Sequence, residues 1–218
     1  MDIKEEEIIE EEPWWNSPLK YILAIFLILI IILWYFPTQA VKLDPEPKYI
    51  PSIIEVLPEN TQLKNSTFQI SSQYDYLNAI FPSDPQIKQI ANKISSLACD
   101  GNKICQAKAI YYFMRDNYDY ISDPISIEYV EHPIDFLYTG GGDCESGTIV
   151  LASLLQSIGV HTQLVFIPNH AFLRVYLKEA LKRYLQEDNY VYLDWTCKSC
   201  KFGEVPYSDI TENKQIIG

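Results

Sequence analysis

One run of the sequence is apolar without interruption, and everything after it is apolar only at intervals. The run is YILAIFLILIIILWYF, Tyr21 to Phe36, with no charged residue. As a helix rising ~1.5 Å per residue it spans ~24 Å, a little short of a ~30 Å hydrocarbon core. Leu19 lengthens it, and Lys20 can extend its ammonium to the headgroups. Trp14 and Trp15 precede it, and Trp34 and Tyr35 close it, as interfacial aromatics do. Pro18 suits a helix start and Pro37 a helix stop. The pattern predicts a transmembrane anchor over 18–36. A cleaved signal peptide is the competing reading. It fits less well, because the preceding segment is acidic and no A-x-A-like site follows.

Farther along, the apolar positions take helical spacing. Asp84-Pro85 is a cap followed by proline at the first helical position, and Ile87, Ile90, Ile94 and Leu97 follow on one stripe. Asp100-Gly101 turns the chain into a second predicted helix over about 102–118, carrying Ile104, Ala107, Ile110, Tyr111 and Met114. A third is predicted from Cys144 to Ile158, with Ile149, Val150, Leu154, Leu155 and Ile158 on its stripe and Gly159 as its stop. Beyond Gly159 the period changes to two. VHTQLVFI, HAFLRVYL and YVYLD read as strands, and KEALKRYLQEDN between the last two is a helical excursion or a long hairpin tip. Helices first and strands last predict an α+β domain, its helices packed on an antiparallel sheet. The expected organisation is an acidic segment over 1–17, the anchor over 18–36, a Pro-rich linker or surface strap over 37–60 (Pro37, Pro45, Pro47, Pro51, Pro58), and one folded domain over 61–218.

Charge and cysteines narrow the picture. The net charge of −12 argues against nucleic acid, whose phosphates need clustered Lys and Arg. The first twenty residues hold seven acids against two lysines, so much of that charge is local. Lys4 and Lys20 precede the apolar run while Lys42 and Lys48 follow it, so positive charge does not orient it. Asn65-Ser66-Thr67 is a glycosylation sequon. Cys99 and Cys105 flank a helix–helix turn, and Cys197 and Cys200 form C-x-x-C. Two local disulfides and one free thiol would account for all five cysteines and suit an oxidising compartment. A four-Cys zinc site is the alternative, disfavoured by the unusual spacing of the first pair. Sequon and disulfides together place the C-terminal domain outside the cytoplasm.

The lone thiol stands in GGGDCESG, where a glycine run meets a helix start. The helix dipole there stabilises a thiolate, so Cys144 is expected to be partly exposed and reactive. Strand parity supplies its partners. Ala171, Leu173, Val175 and Leu177 share an apolar face, leaving His170, Phe172, Arg174 and Tyr176 on the other. Val191 and Leu193 face one way, and Tyr190, Tyr192 and Asp194 the other. Were these strands antiparallel neighbours, His170 would open one where Asp194 closes the next, on the non-core face. Such a set can perform acyl transfer: the imidazole takes the thiol proton, the carboxylate fixes the tautomer, and helix-start N–H groups bind the oxyanion. His132, in a loop beside Pro133, and His161, on a strand of ambiguous facing, read as ordinary polar residues. Asp143 reads as a helix cap and Glu145 as a first-turn acid.

Read in order, GGGDCESGTIVLASLLQSIGV, NHAFLRVYL and YVYLDWT resemble the transglutaminase-like superfamily, in particular its prokaryotic and archaeal membrane-associated members. AKAIYYFMRDNYDY resembles the helix that precedes the nucleophile there. The likeness covers roughly 84–196. It implies a papain-like fold and a triad on Cys144, His170 and Asp194, with neither cofactor nor metal. Trp195 stands where the family often has proline, and no tryptophan lies between Trp34 and Trp195 to serve as an oxyanion donor. Two functions follow as expectations. One is a single-pass membrane thiol enzyme, a hydrolase or acyltransferase acting on protein or peptide amides. The other is a non-catalytic accessory or scaffold subunit that uses the same fold to bind a partner in a membrane complex.

Overall fold

The computed structural model describes residues 18–123 and 130–218, which leaves the acidic segment 1–17 outside the described residues. The chain divides into two compact units, one ending at Leu43 and one running from Asp44 to Gly218. In the first, α1 runs from Leu19 to Leu43. Its stretch Leu19–Pro37 has a mean hydropathy of 2.6 and buries nothing within the protein, so it is long and apolar enough to cross a membrane. Pro37 does not end α1 as the sequence suggested; it lies inside the helix.

The second unit opens with the short α2 (Ile53–Val56) and β1 (Thr67–Phe68). Two full helices follow, α3 (Pro85–Ala98) and α4 (Lys103–Asn117), then β2 (Asp119–Tyr120) and β3 (Val130–Glu131). Next come α5 (Pro133–Thr139), β4 (Gly141–Gly142) and α6 (Cys144–Ser157). The chain then runs through β5 (Thr162–Ile167), β6 (His170–Tyr176), β7 (Tyr190–Leu193), α7 (Tyr207–Thr211) and β8 (Gln215–Ile217). The strands β7-β6-β5-β8 form one antiparallel sheet in that order, and α6 packs across β5 and β6. This is the expected α+β arrangement.

Local chemistry sets the helix ends. The Asp84 carboxylate accepts the N–H groups of Gln86 (2.8 Å) and Ile87 (3.3 Å), with Pro85 filling the first helical position. Asn102 does the same for Ile104 and Cys105 at the start of α4. Gly159, at φ 79°, follows the end of α6. The stripes of α3, α4 and α6 meet Ala171, Leu173, Val175, Leu177, Val191 and Leu193 in one core. The opposite face of the sheet is not bare. Val165, Phe172 and Tyr192 form a second small cluster with Val205, and Ile167 and Ile216 pack against it. Period-two alternation gave no sign that this face is covered, because the C-terminal segment that covers it lacks a strand-length apolar pattern.

Of the two forms open to KEALKRYLQEDN, a helical excursion or a long hairpin tip, the segment takes the second, with turns and a single bridge, Leu185 to Val191. The short helix α5 and the edge strand β8 had no periodic signal long enough to mark them. Residues 44–60, expected as a linker or a surface strap, belong to the compact unit. The fully buried ammonium of Lys108 reaches Asp44 at 2.6 Å and Glu46 at 2.5 Å, and Asp44 also meets Arg183 and Tyr184. A buried cation needs such partners, since desolvation without them costs several kcal/mol. The Lys48 N–H donates to the Ala98 carbonyl at 2.8 Å, and Val56 has no exposed surface.

The cysteines pair as Cys99–Cys105 and Cys197–Cys200, with Cα separations of 5.9 and 5.3 Å, and Cys144 is free. This replaces the zinc alternative. Asn65 of the sequon is exposed at φ 48°, and Lys64 and Ser66 on either side donate their N–H groups to Asp135. Leu193, with no exposed surface at the centre of the core face, gives a direct check on the packing. Leu193→Ala should lower unfolding stability by about 2–5 kcal/mol in denaturant titration, and a loss below 1 kcal/mol would contradict the assigned facing.

Candidate active site

Cys144 is the first residue of α6, capped by Asp143, whose carboxylate accepts the Ser146 N–H at 2.7 Å. In the glycine run ahead of it, Gly140 takes the left-handed cap of α5 at φ 90°, and Gly141 and Gly142 pack closely within the protein. A Cβ on Gly141 would stand 2.3 Å from the Asp119 carbonyl oxygen, where β2 pairs with β4. Gly147, one turn into α6, lies under the indole of Trp195, and a Cβ there would come within 2.1 Å of the ring. The indole N–H donates to the Cys144 carbonyl at 3.3 Å. Trp195 therefore ties the helix that carries the thiol to the strand end that carries Asp194. Its side chain has no exposed surface and meets Phe136 edge-on.

The imidazole and the carboxylate meet as strand parity required. Leu173 pairs with Leu193, so one further step of that register sets Asp194 opposite Phe172 and diagonal to His170 on the same face. His170 Nε2 lies 3.1 Å from Asp194 Oδ2. Asp194 has a side-chain exposure of 1%, so its other oxygen also needs donors. Thr196 supplies two, its N–H at 3.0 Å and its hydroxyl at 2.7 Å, which gives a physical reason for threonine two residues after the acid. The Tyr111 hydroxyl lies 3.2 Å from the carbonyl oxygens of both Asp194 and Cys200. Burial lowers the His170 basicity, but the hydrogen bond and charge of Asp194, then Asp209, outweigh it and hold the ring above its ordinary pKa.

The thiol differs from expectation. Cys144 is 5% exposed, not partly open. Its Sγ donates to Glu145 Oε2 at 2.8 Å, and the amide of Ala171, the residue after His170, hydrogen bonds the sulfur. Burial pushes the thiol well above its ordinary range, and Glu145 adds to that through its hydrogen bond and charge. The helix start does not overcome this, so the resting side chain is a protonated thiol. Asp143 is itself pushed up to about 7, first by burial and then by the Glu145 charge, against the pull of its Ser146 hydrogen bond.

Two acids at the site escaped the sequence reading. Glu145 was read as a first-turn acid, and nothing in sequence separates that role from a bond to the neighbouring sulfur. Asp209, on α7, stands 3.9 Å from His170 Nε2. His170, Asp194 and Asp209 offer donor atoms within 4.8 Å of one another, and among the described residues this is the group that could hold a cation. Doing so would occupy the ring nitrogen that faces Asp194. Tyr120 is near as well: burial raises its phenol pKa, and the charges of Asp143 and Glu145 add to it. The other histidines are engaged elsewhere. His132 caps α5, with Nδ1 accepting the Ile134 N–H at 3.2 Å, and His161 is exposed with its ring 6.3 Å from that of Tyr190.

Comparison with known proteins gives a family match over part of the chain and several structural likenesses. The model of the transglutaminase-like superfamily matches residues 88–195. No curated protein matches the chain. Among solved structures, LapG of Legionella pneumophila is 23% identical, covering 62% of this chain and 78% of its own, at a TM-score of 0.40. Its calcium-bound form is 24% identical, covering 61% and 74%, at 0.42. A candidate cysteine protease from Cytophaga hutchinsonii is 16% identical, covering 68% of this chain and 53% of that one, at 0.40.

Glu145→Gln isolates the acid's hold on the sulfur. Removing the charge should lower the thiol pKa and raise the iodoacetamide alkylation rate of Cys144 at pH 7, by about tenfold for each pH unit the thiol falls. An unchanged rate in a folded variant would mean that burial alone holds the proton.

Proposed function

Since residues 88–195 belong to the transglutaminase-like superfamily, we propose that this chain is a thiol enzyme acting on protein or peptide amides. Cys144 is the nucleophile, His170 its general base, and Asp194 the residue that orients the imidazole. The observation that carries this reading is the His170–Asp194 pair, 3.1 Å apart with the carboxylate buried, together with the amide of Ala171, the residue after His170, hydrogen-bonded to the sulfur of the free Cys144.

The chemistry follows from which ring nitrogen is taken. Asp194 holds Nε2, which leaves Nδ1 to receive the thiol proton. The thiolate then attacks an amide carbonyl. The tetrahedral oxyanion is met by backbone N–H groups at the start of α6, and the imidazolium gives its proton to the departing amine. The resulting thioester is resolved by water in hydrolysis or by a second amine in acyl transfer. In both cases His170 deprotonates the attacking group. The step that precedes all of these is release of the thiol from Glu145.

The second reading, an accessory or scaffold subunit with an idle triad, is favoured by a specific observation: the sulfur is buried, protonated and bonded to Glu145. Alkylation separates the two. Iodoacetamide labelling of Cys144 should depend on the imidazole: Cys144→Ala should abolish it, and His170→Ala should slow it. Asp194→Asn should keep the fold yet cost ~10⁴ in any amide-directed turnover, the size of the equivalent loss in a serine triad. A Cys144 whose labelling is indifferent to His170→Ala would sink the enzyme reading.

We also propose that α1 is an uncleaved single-pass anchor and that the domain faces away from the cytoplasm. The two disulfides and the exposed Asn65 support this orientation. A C-terminal tag should be digested by protease added outside intact cells. Protection until lysis would reverse the orientation, and a product lacking the first forty residues would make α1 a signal segment.

A further inference from the structure

The C-terminal segment brings a second carboxylate to the imidazole. Asp209 lies on α7, beyond residue 195 where the family match ends. Its Oδ2 stands 3.9 Å from His170 Nε2, against 3.1 Å for Asp194 Oδ2. One ring N–H can serve one strong acceptor, and Asp194 has the hydrogen-bonding distance. Asp209 is too far for that bond but near enough for its charge to act on the ring.

The position of Asp209 is fixed by packing. Before it, Val205 is buried against Val165, Phe172 and Tyr192 on the face of the sheet that carries His170. After it, β8 pairs with β5 and Ile216 packs on the same cluster. Between these anchors the Asp209 N–H donates to the Pro206 carbonyl at 3.0 Å, and Oδ1 accepts the Ser208 hydroxyl at 2.9 Å, leaving Oδ2 toward the ring. The side chain is largely buried, at 16% exposure, so its charge is only partly screened by water.

We propose that Asp209 is a positioning residue for His170, a second carboxylate supplied by the C-terminal segment that keeps the ring cationic once it has taken the thiol proton. Its catalytic meaning rests on the thiol-enzyme reading, whereas the charge relation between the two residues does not. The charged groups around His170 are Asp194 at the end of β7, Asp209 on α7 and Glu145 on α6, all negative and all acting in the same direction; burial of the ring opposes them. Removing one acid therefore lowers the pH at which the ring loses its proton.

The test uses the full chain in detergent micelles, with Cys144→Ala so that the thiol does not titrate. The chain has three histidines, so their ring signals in an NMR pH titration are assignable by single substitutions. Asp209→Asn should move the His170 midpoint to lower pH by about one pH unit, leaving His132 and His161 in place, and Asp209→Glu should recover most of the shift. With Cys144 restored, Asp209→Asn should slow iodoacetamide alkylation at pH 6 by roughly three- to tenfold, as the thiolate loses its cationic partner. An unmoved His170 midpoint in a folded Asp209→Asn protein overturns the proposal whatever Cys144 does. Equal movement of all three histidines overturns it too, because that reports a general change in the fold. A His170 that shifts while Cys144 stays inert supports the role of Asp209 and counts against the thiol-enzyme reading alone.

Discussion

A carboxylate removed from water stays charged only when its oxygens are met by donors, and much of the site is organised around meeting those of Asp194. One oxygen faces His170 and the other takes both donors of Thr196. That second contact forces the chain to turn immediately after β7. The turn places Trp195 inward, over Gly147, and brings the Cys197–Cys200 loop against α4, where Tyr111 and Arg115 hold the Cys200 carbonyl. The disulfide thus braces the loop that follows the acid, and the acid fixes the imidazole.

The Cys144 end of the site is built from different materials. Gly147 and Trp195 bring α6 against the strand end, and Thr148 of the same helix donates to the Ala171 carbonyl at 3.3 Å. This seats the first turn of α6 over the start of β6. The same close packing that seats the helix start also buries the thiol. Burial raises its pKa where a helix start in water would lower it, and Glu145 adds to the rise. A thiol held protonated by an adjacent acid is protected from adventitious oxidation, since it is the thiolate that reacts.

Elsewhere the fold spends two buried or near-buried charges on fastening its ends. Lys108 fixes the strap at Asp44 and Glu46. Asp135 accepts the amides of Lys64 and Ser66 around the sequon. Short irregular segments bury too little apolar surface to hold themselves in place, and charged hydrogen bonds to a rigid helix supply the difference.

What the sequence determined by itself is what periodicity and local chemistry encode. The apolar run of α1, the stripes and caps of α3, α4 and α6, and the facing of β6 and β7 all follow from spacing, because a helix or strand repeats its environment every few residues. The pairing of His170 with Asp194 was legible for the same reason, since two strands of known parity need only lie side by side. Tertiary structure decided the rest. Whether Cys144 is wet or dry depends on how α6 packs against the sheet and Trp195, far from it in sequence. Whether Glu145 faces solvent or sulfur depends on a rotamer that no spacing fixes. The strap is held by Lys108 in the middle of a helix whose pattern gives no hint of a buried cation. Asp209 reaches the imidazole only because the segment running from Val205 into α7 crosses a sheet face that alternation had left for water. Each is a contact between segments with no shared period, and such contacts are set by how the packed elements meet rather than by any one segment's residues.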